Sequence, residues 1–223
     1  MCGRFARFSP VHKFGTLFGV QDDFSLIPRY NVAPTQAALA ARTTPQGRRE
    51  LVTLHWGLIP LWAKEPKTGY STINARAETV ATKPSFRHAL RQRRCLIAAD
   101  GFYEWKRLDG RKQPYYIRLK DRQPFAFAGL WEHWEGGGEI IDSCAIIVTQ
   151  ANELIGAIHD RMPVILDPAD YELWLDPDAK GAAPGGTTAP ALFGGADGCL
   201  SINTRVNNPK NDDRSLVAAI RER

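Results

Sequence analysis

A cysteine in second position, Cys2 in Met1-Cys2-Gly3-Arg4, is one loss away from carrying two nucleophiles. A small side chain after the initiator is the setting in which methionine aminopeptidase removes Met1. The freed α-amine has a reference pKa of about 7.7–8.0 and the thiol about 8.5, so both are poised near neutral pH. An amine attacks an aldehyde to give an imine. A thiol on the same residue can then close onto that carbon as a thiazolidine, whereas an internal lysine stops at the imine, which hydrolyses readily. Incidental placement of a cysteine at this position is the alternative that these four residues leave open.

Three further segments carry polar groups suited to proton transfer. Asn74-Ala75-Arg76-Ala77-Glu78 follows Tyr70-Ser71-Thr72-Ile73. In Asp100-Gly101-Phe102-Tyr103-Glu104-Trp105 the glutamate stands among three aromatics. Apolar surroundings would raise its pKa and suit it to exchange protons near pH 7; an exposed glutamate on an edge strand is the alternative. Ile158-His159-Asp160-Arg161-Met162-Pro163 sets one histidine beside both signs of charge, which can orient or solvate it. His12, His55, His88 and His133 lack such neighbours and read as structural or surface residues.

The elements that must hold these residues are mostly strands. Residues 2–8 read as a short strand. Ser9-Pro10 reads as an N-cap with proline at the first helical position, before a helix that buries Val11, Phe14 and Phe18 and ends at Gly19. Residues 28–34 read as a proline-bounded loop. Residues 37–42 and 50–58 read as strands joined through Thr44-Pro45-Gln46-Gly47. A loop at 59–71 carries Trp62, and a helix near Pro84 turns Phe86 and Leu90 inward and its arginines outward. Strands follow at 94–99, 101–107, 115–119, 125–134 and 143–149. Asp109-Gly110 and Gly136-Gly137-Gly138 have hairpin-turn chemistry. A helical segment at 153–158 leads to His159, then a strand at 162–166 and a short helix at 171–175. Strands without regular βαβ alternation predict a single α+β domain over 1–223. The Gly/Ala/Pro/Thr-rich stretch at 180–198 reads as a flexible insertion.

Composition is that of an ordinary soluble chain, with no apolar run long enough for a membrane and no apolar stretch after Arg4 and Arg7 to make a signal peptide. The expectation is a cytoplasmic protein. Cys2, Cys95, Cys144 and Cys199 form no C-x-x-C pair and no histidine stands at zinc-ligand spacing, so reduced thiols are expected. The net charge of +5 is unevenly spread: between Thr79 and Ala98 there is no acid, only Lys83, Arg87, Arg91, Arg93 and Arg94. That stretch fits either a solvated helix face or a phosphate-binding surface.

Taken in order, these segments resemble the SOS response-associated peptidase (SRAP) family of abasic-site processing proteins. The resemblance rests on Met1-Cys2-Gly3-Arg4-Phe5, Tyr30-Asn31-Val32-Ala33-Pro34, Trp56-Gly57-Leu58-Ile59-Pro60 with Trp62, residues 73–78, 94–105, 148–152 and 159–163, and Thr204-Arg205-Val206-Asn207-Asn208. Each motif is weak alone; their number and order are specific. The stretch at 180–198 is the departure from the pattern.

The resemblance implies a domain of curved, mainly antiparallel, barrel-like sheets flanked by short helices, with no metal or organic cofactor. It implies that Cys2 crosslinks to the abasic deoxyribose of single-stranded DNA, including at junctions with duplex; a monomer is the expectation, although the sequence does not fix oligomeric state. Asn74 would hold the N-terminal residue and reacting carbon, Glu104 would move protons at the amine and in reversal, and His159 would protonate the leaving ring oxygen. Arg4 and Arg76 would clamp phosphates, with Thr149 and Arg161 also at the DNA. Pro34, Leu61 and Trp62 would cover the edge of the cleft, although Trp62 on its own would read as core. Three other readings compete: a cysteine peptidase using Cys2, Glu104 and His159, compatible with self-removal of Met1; an N-terminal-nucleophile amidohydrolase, of which only Met-Cys-Gly is seen; and a DNA-binding module that does not need Cys2.

Overall fold

The structure is a computed structural model that describes residues 2–21, 25–66, 71–179 and 198–220. The expected insertion at 180–198 lies outside the described residues except for Gly198. The first half runs β1 (Phe5–Arg7), α1 (Val11–Phe18), β2 (Arg29–Val32), β3 (Ala37–Thr43), β4 (Arg49–Trp56), β5 (Asn74–Arg76) and α2 (Arg87–Gln92). Then come β6 (Arg94–Ala99), β7 (Gly101–Leu108), β8 (Arg111–Ile117), β9 (Phe125–Gly136) and β10 (Glu139–Gln150). The chain continues through α3 (Glu153–Gly156), β11 (Arg161–Pro163), β12 (Ile165–Leu166), α4 (Tyr171–Leu175) and β13 (Cys199–Ser201). This is the expected α+β class, with strands dominant.

Strands β10, β4, β3, β6 and β9 follow one another by pairing, and β9 pairs back onto β10, so five strands close into a barrel. Only the β10–β4 contact within this ring is parallel; the others are antiparallel. A second sheet runs β13-β8-β7-β1-β2. Every residue of β6 is buried, and the central stretches of β3, β9 and β10 are buried on both faces, while β4 leaves Thr53 exposed. Successive side chains point to opposite faces, so each strand feeds two cores. Leu96, Ala98, Ala145 and Ile147 pack with Phe14 and Phe18 of α1 and Trp174 of α4. Cys95, Ile97, Cys144 and Ile146 pack with Phe5 and Phe102 of the second sheet.

Phe5 ties the two sheets together. Its ring meets Trp56 edge-on at 5.0 Å and Phe127 at 5.8 Å. Aromatic pairs of this geometry add about 0.5–1.5 kcal/mol each beyond area burial. The strand that carries the amino-terminal residues is therefore anchored in the barrel core three positions after Cys2.

Several elements depart from the sequence reading. Residues 29–32 form β2 rather than a loop, because Pro28 and Pro34 flank the strand without interrupting its hydrogen bonds. Ser9 does not cap α1; Pro10 is the capping position, while the Ser9 N–H and hydroxyl bond the carboxylate of buried Asp100. The strand expected at 162–166 is split: β11 pairs with β10 and β12 with β9. Val164 bridges them, donating to Ile147 and accepting from Ala128. Strand β8 starts four residues earlier than expected, because the Asp109-Gly110 turn (φ 45° and 78°) places Arg111 directly in register with Leu108. Gly137-Gly138 (φ 61° and 83°) likewise closes β9–β10. Positive φ at both central residues is what a two-residue hairpin of matching twist requires.

Candidate active site at one end of the barrel

Strand β10 organises the site. At Val148 it pairs with Arg76 of β5 on one edge and with Pro163 of β11 on the other. Asn74 and Arg76 are thereby brought to one side of Thr149, and His159 and Arg161 to the other. The second sheet delivers the remaining pair: β1 lies antiparallel to β7, and Tyr103 donates its backbone N–H to Arg4 at 3.0 Å. That register brings Cys2 towards Glu104, whose charge is felt at the thiol.

Cys2 is fully buried against the core. Asn74 Nδ2 donates to its carbonyl oxygen at 2.8 Å. Asn74 Oδ1 is buried and has no hydrogen-bond partner among the described residues, so an acceptor is left for a reacting group. Trp56 fixes the approach to Asn74, its indole donating to the Ile73 carbonyl at 3.0 Å. Burial pushes the Cys2 thiol well above its ordinary range, and the charge of Glu104 adds to the effect. Glu104 is 2 % exposed, and burial pushes its carboxyl up to about 7. The apolar-pocket expectation holds here; the edge-strand alternative does not, since β7 lies between β1 and β8.

His159 is held by the loop that follows β10. Asn152 Oδ1 caps α3 through the Ile155 N–H at 3.0 Å, His159 N–H returns to the Ile155 carbonyl at 2.9 Å, and Ala151 N–H closes the loop on Asp160 at 3.0 Å. Its Nδ1 accepts the Arg161 backbone N–H at 3.0 Å, with the Asp160 carboxylate 2.9 Å from the same nitrogen. One nitrogen cannot accept from the amide and donate to the carboxylate at once. The Asp160 side chain is 84 % exposed, whereas the amide is fixed by β11, so the amide contact prevails and assigns the proton to Nε2. Burial holds the ring below the usual histidine range, opposed by Asp160.

The residues expected at the DNA fall into three groups. Arg76 is exposed at the end of β5, and Arg161 pairs with Glu78. Arg4 is engaged internally: Nη1 donates to Asn31 Oδ1 and to the Val206 carbonyl, both at 2.8 Å, and Nη2 to the Asn207 carbonyl at 3.4 Å. Pro34, Leu61 and Trp62 are carried by segments that adjoin the same end of β4. The turn after β2 bonds back to Trp56 through Thr35 N–H, and the segment carrying Leu61 and Trp62 leaves from that same end of β4. Leu61 is 52 % and Trp62 65 % exposed, so the core-packing alternative for Trp62 does not hold.

The acid-free stretch divides. Arg94 is buried and donates to the carbonyls of Leu90, Trp174 and Asp176, and Arg93 pairs with buried Glu132. Lys83, Arg87 and Arg91 remain exposed. A cavity of about 1060 Å³ opens at the opposite end, by the β3–β4 turn. Its Arg42 and Arg49 are spent on Glu50, Asp142 and Glu172; Arg93 and Arg94 line it, whereas Cys2, Asn74, Glu104 and His159 do not.

Four separate segments thus bring a buried cysteine, an asparagine, a buried carboxyl and a histidine to one end of a closed barrel, which defines a β-barrel protein with a candidate nucleophile at its rim. The chain belongs to the SOS response associated peptidase (SRAP) family, whose model matches residues 1–209. It is 44 % identical over 226 residues to the abasic site processing protein YoaM of Bacillus subtilis (strain 168), covering 98 % of each chain. It is 29 % identical to the abasic site processing protein YedK of Escherichia coli (strain K12), covering 99 % of this chain and 100 % of that one. A crystal structure of a protein from Bacteroides thetaiotaomicron superposes with a TM-score of 0.83 at 27 % identity, over 98 % of this chain and 100 % of that one.

Proposed function

We propose that this protein processes abasic sites in single-stranded DNA by forming a thiazolidine between Cys2, exposed as the amino-terminal residue after loss of Met1, and the sugar aldehyde. Family membership and the names of its relatives support abasic-site processing. The observation that carries the chemistry is the Asn74 amide on the Cys2 carbonyl, beside a thiol that feels the charge of buried Glu104, itself raised to about 7. The amine of Cys2 attacks C1′ of the opened sugar, and the carbinolamine loses water to give the imine. Sulfur then adds to the same carbon and the thiol proton passes to the former imine nitrogen, closing a five-membered ring. With the thiol's pKa raised by burial, that transfer needs a base, and the charge of Glu104 felt at the thiol supports Glu104 as the group that carries the proton from sulfur to nitrogen. A peptidase acting on other proteins would want the opposite, a cysteine whose thiolate is stabilised.

The deciding experiment mixes purified protein with single-stranded DNA containing one abasic site. An adduct that survives denaturing electrophoresis is expected; its absence overturns the reading. Intact mass spectrometry of the active protein should show Met1 removed, since the ring needs a free α-amine on Cys2. A preparation that crosslinks fully with methionine retained would sink the mechanism.

Noncovalent binding should prefer single strands, or a single strand meeting duplex on one side, because Pro34, Leu61 and Trp62 offer a stacking and blocking surface. Arg4, Arg76 and the exposed Lys83, Arg87 and Arg91 supply positive charge. Log affinity should fall linearly with log salt, by about 0.7 per phosphate contact. Titration by fluorescence anisotropy at several salt concentrations checks this; equal affinity for intact duplex would contradict it.

A further inference from the structure

Two motifs in the sequence, Tyr30-Asn31-Val32-Ala33-Pro34 and Thr204-Arg205-Val206-Asn207-Asn208, have no role in the chemistry above. In the fold they meet. Asn31 is fully buried, and its amide is used on both sides. Oδ1 accepts from Arg4 Nη1 at 2.8 Å. Nδ2 faces the carbonyls of Val206, Asn208 and Asn211 at 3.2, 3.1 and 2.7 Å. The opposite amide orientation would set NH₂ against the guanidinium and oxygen against three carbonyls, so the network fixes the assignment. Asp212 completes the join, accepting the backbone N–H groups of Tyr30 at 2.5 Å and Asn31 at 2.9 Å and pairing with Arg29. Residues 206–212 are thus strapped across β2.

The strap reaches both neighbours of the reacting groups. Arg4, two residues from Cys2, bonds Val206 and Asn207. Trp105, next to Glu104, donates its indole N–H to Asn207 Oδ1 at 2.7 Å, and the Arg4 guanidinium lies 6.0 Å from its ring. Among the described residues, the acceptors that hold Arg4 are all neutral oxygens. Two other arginines bonded near the strap meet carboxylates, Arg29 on Asp212 and Arg205 on Asp213, while Arg7 on β1 donates to the Ile27 carbonyl. A guanidinium half withdrawn from water and held only by neutral dipoles keeps its full charge, and an anion arriving at its remaining edge meets a donor already in place. Burial lowers the Arg4 pKa, the mark of a charge whose lost hydration is not fully replaced. Nη1 has both hydrogens committed, so that edge is Nε–H with the second Nη2 hydrogen, a fork suited to two phosphate oxygens.

We propose that Asn31 is a positioning residue for DNA: with the strap at 206–212 it presents Arg4, ordered and without a carboxylate partner, to the phosphate beside the reacting nucleotide. This rests on the proposed function, and within it on Arg4 as a phosphate contact. Ordering the side chain in advance removes part of the entropy that a free arginine would lose on binding.

The test is a double-mutant cycle on noncovalent binding to single-stranded DNA carrying a tetrahydrofuran abasic analogue, read at several salt concentrations. Arg4→Ala should lower affinity about tenfold, as expected for one hydrogen-bonded charged contact. It should also reduce the salt slope by about 0.7. Asn31→Ala should reproduce most of both changes, and the double variant should lose no more than Arg4→Ala alone. If Asn31→Ala lowers the melting temperature but leaves affinity and slope unchanged, or if the two losses add, Asn31 is only structural and the proposal is overturned. If Arg4→Ala itself leaves the slope unchanged, the phosphate contact is wrong and the proposal goes with it, while crosslinking through Cys2 stands or falls separately. Should Asn31→Ala not fold, NMR of the wild-type arginine side chains decides. Slow rotation of the Arg4 Nη groups before DNA is added supports positioning, and free rotation refutes it.

Discussion

Replacing Cys2 with alanine is expected to abolish the adduct that survives denaturing electrophoresis while leaving noncovalent DNA binding largely intact. The size of the effect follows from what the thiol does. With sulfur present, the imine carbon is captured in a ring and the equilibrium is drawn away from hydrolysis. Without it the new amino-terminal alanine still has an amine, so an imine can form, but it reverts when the protein is denatured in water. Borohydride should therefore trap a residual adduct in Cys2→Ala that is invisible without reduction. Binding should survive because the phosphate contacts proposed for Arg4 and Arg76 involve guanidinium groups, not the cysteine. Cys2 is fully buried, so the change also leaves a small void in the core. Truncation of that size costs on the order of 1 kcal/mol, well short of unfolding a domain of this size. An untreated adduct at full yield from Cys2→Ala would mean that another nucleophile is responsible.

How far the sequence carried the argument depends on the kind of information each feature needs. Hairpins at Asp109-Gly110 and Gly137-Gly138 were legible because positive φ is a local demand met by few residues. The apolar setting of Glu104 was legible from Phe102 and Tyr103 beside it, but the choice between a buried and an edge-strand glutamate was not, because it depends on β1 pairing with β7. Closure of the barrel was not: it depends on β9 pairing back to β10 and on the parallel contact of β10 with β4, which join residues far apart in the chain. Charge patterning misled for the same reason. Arg93 and Arg94 look like Arg87 and Arg91 in sequence, yet they follow the helix into β6, where Glu132 and the α4 carbonyls use them up. Asn31 was visible only as part of an unexplained motif, because its partners lie some 175 residues away. Strand β2 was missed because two prolines were taken to break a segment that they only bound.

Glu104 and His159 should fail in different ways when replaced, because the reaction has two opposite protonation needs. Closed abasic sugar has no aldehyde, and opening it needs an acid at the ring oxygen. Imine formation, ring closure and their reversal need a base near the amine and thiol. General acid or base catalysis is worth roughly 10²–10⁴-fold, so either loss is measurable. Glu104→Gln should slow crosslinking to a natural abasic site and to an acyclic aldehyde analogue alike, and should slow release of a preformed crosslink. His159→Ala should slow the natural site and spare the acyclic analogue. The pH dependence follows from the two environments. Burial raises Glu104 to about 7, so its base form grows as pH rises through 7 and the rate on the acyclic analogue should rise with it. Burial lowers His159, so its imidazolium form fades below the usual histidine range and the natural site should show a falling limb as well. The same carboxyl leaves a stability signature. Its folded pKa is raised, so the stability it contributes is present at low pH and lost as pH rises through 7. Glu104→Gln should therefore melt higher relative to wild type at pH 8 than at pH 5. Equal slowing of the closed and open substrates by His159→Ala would remove the acid role from the histidine and leave Glu104 to account for both steps.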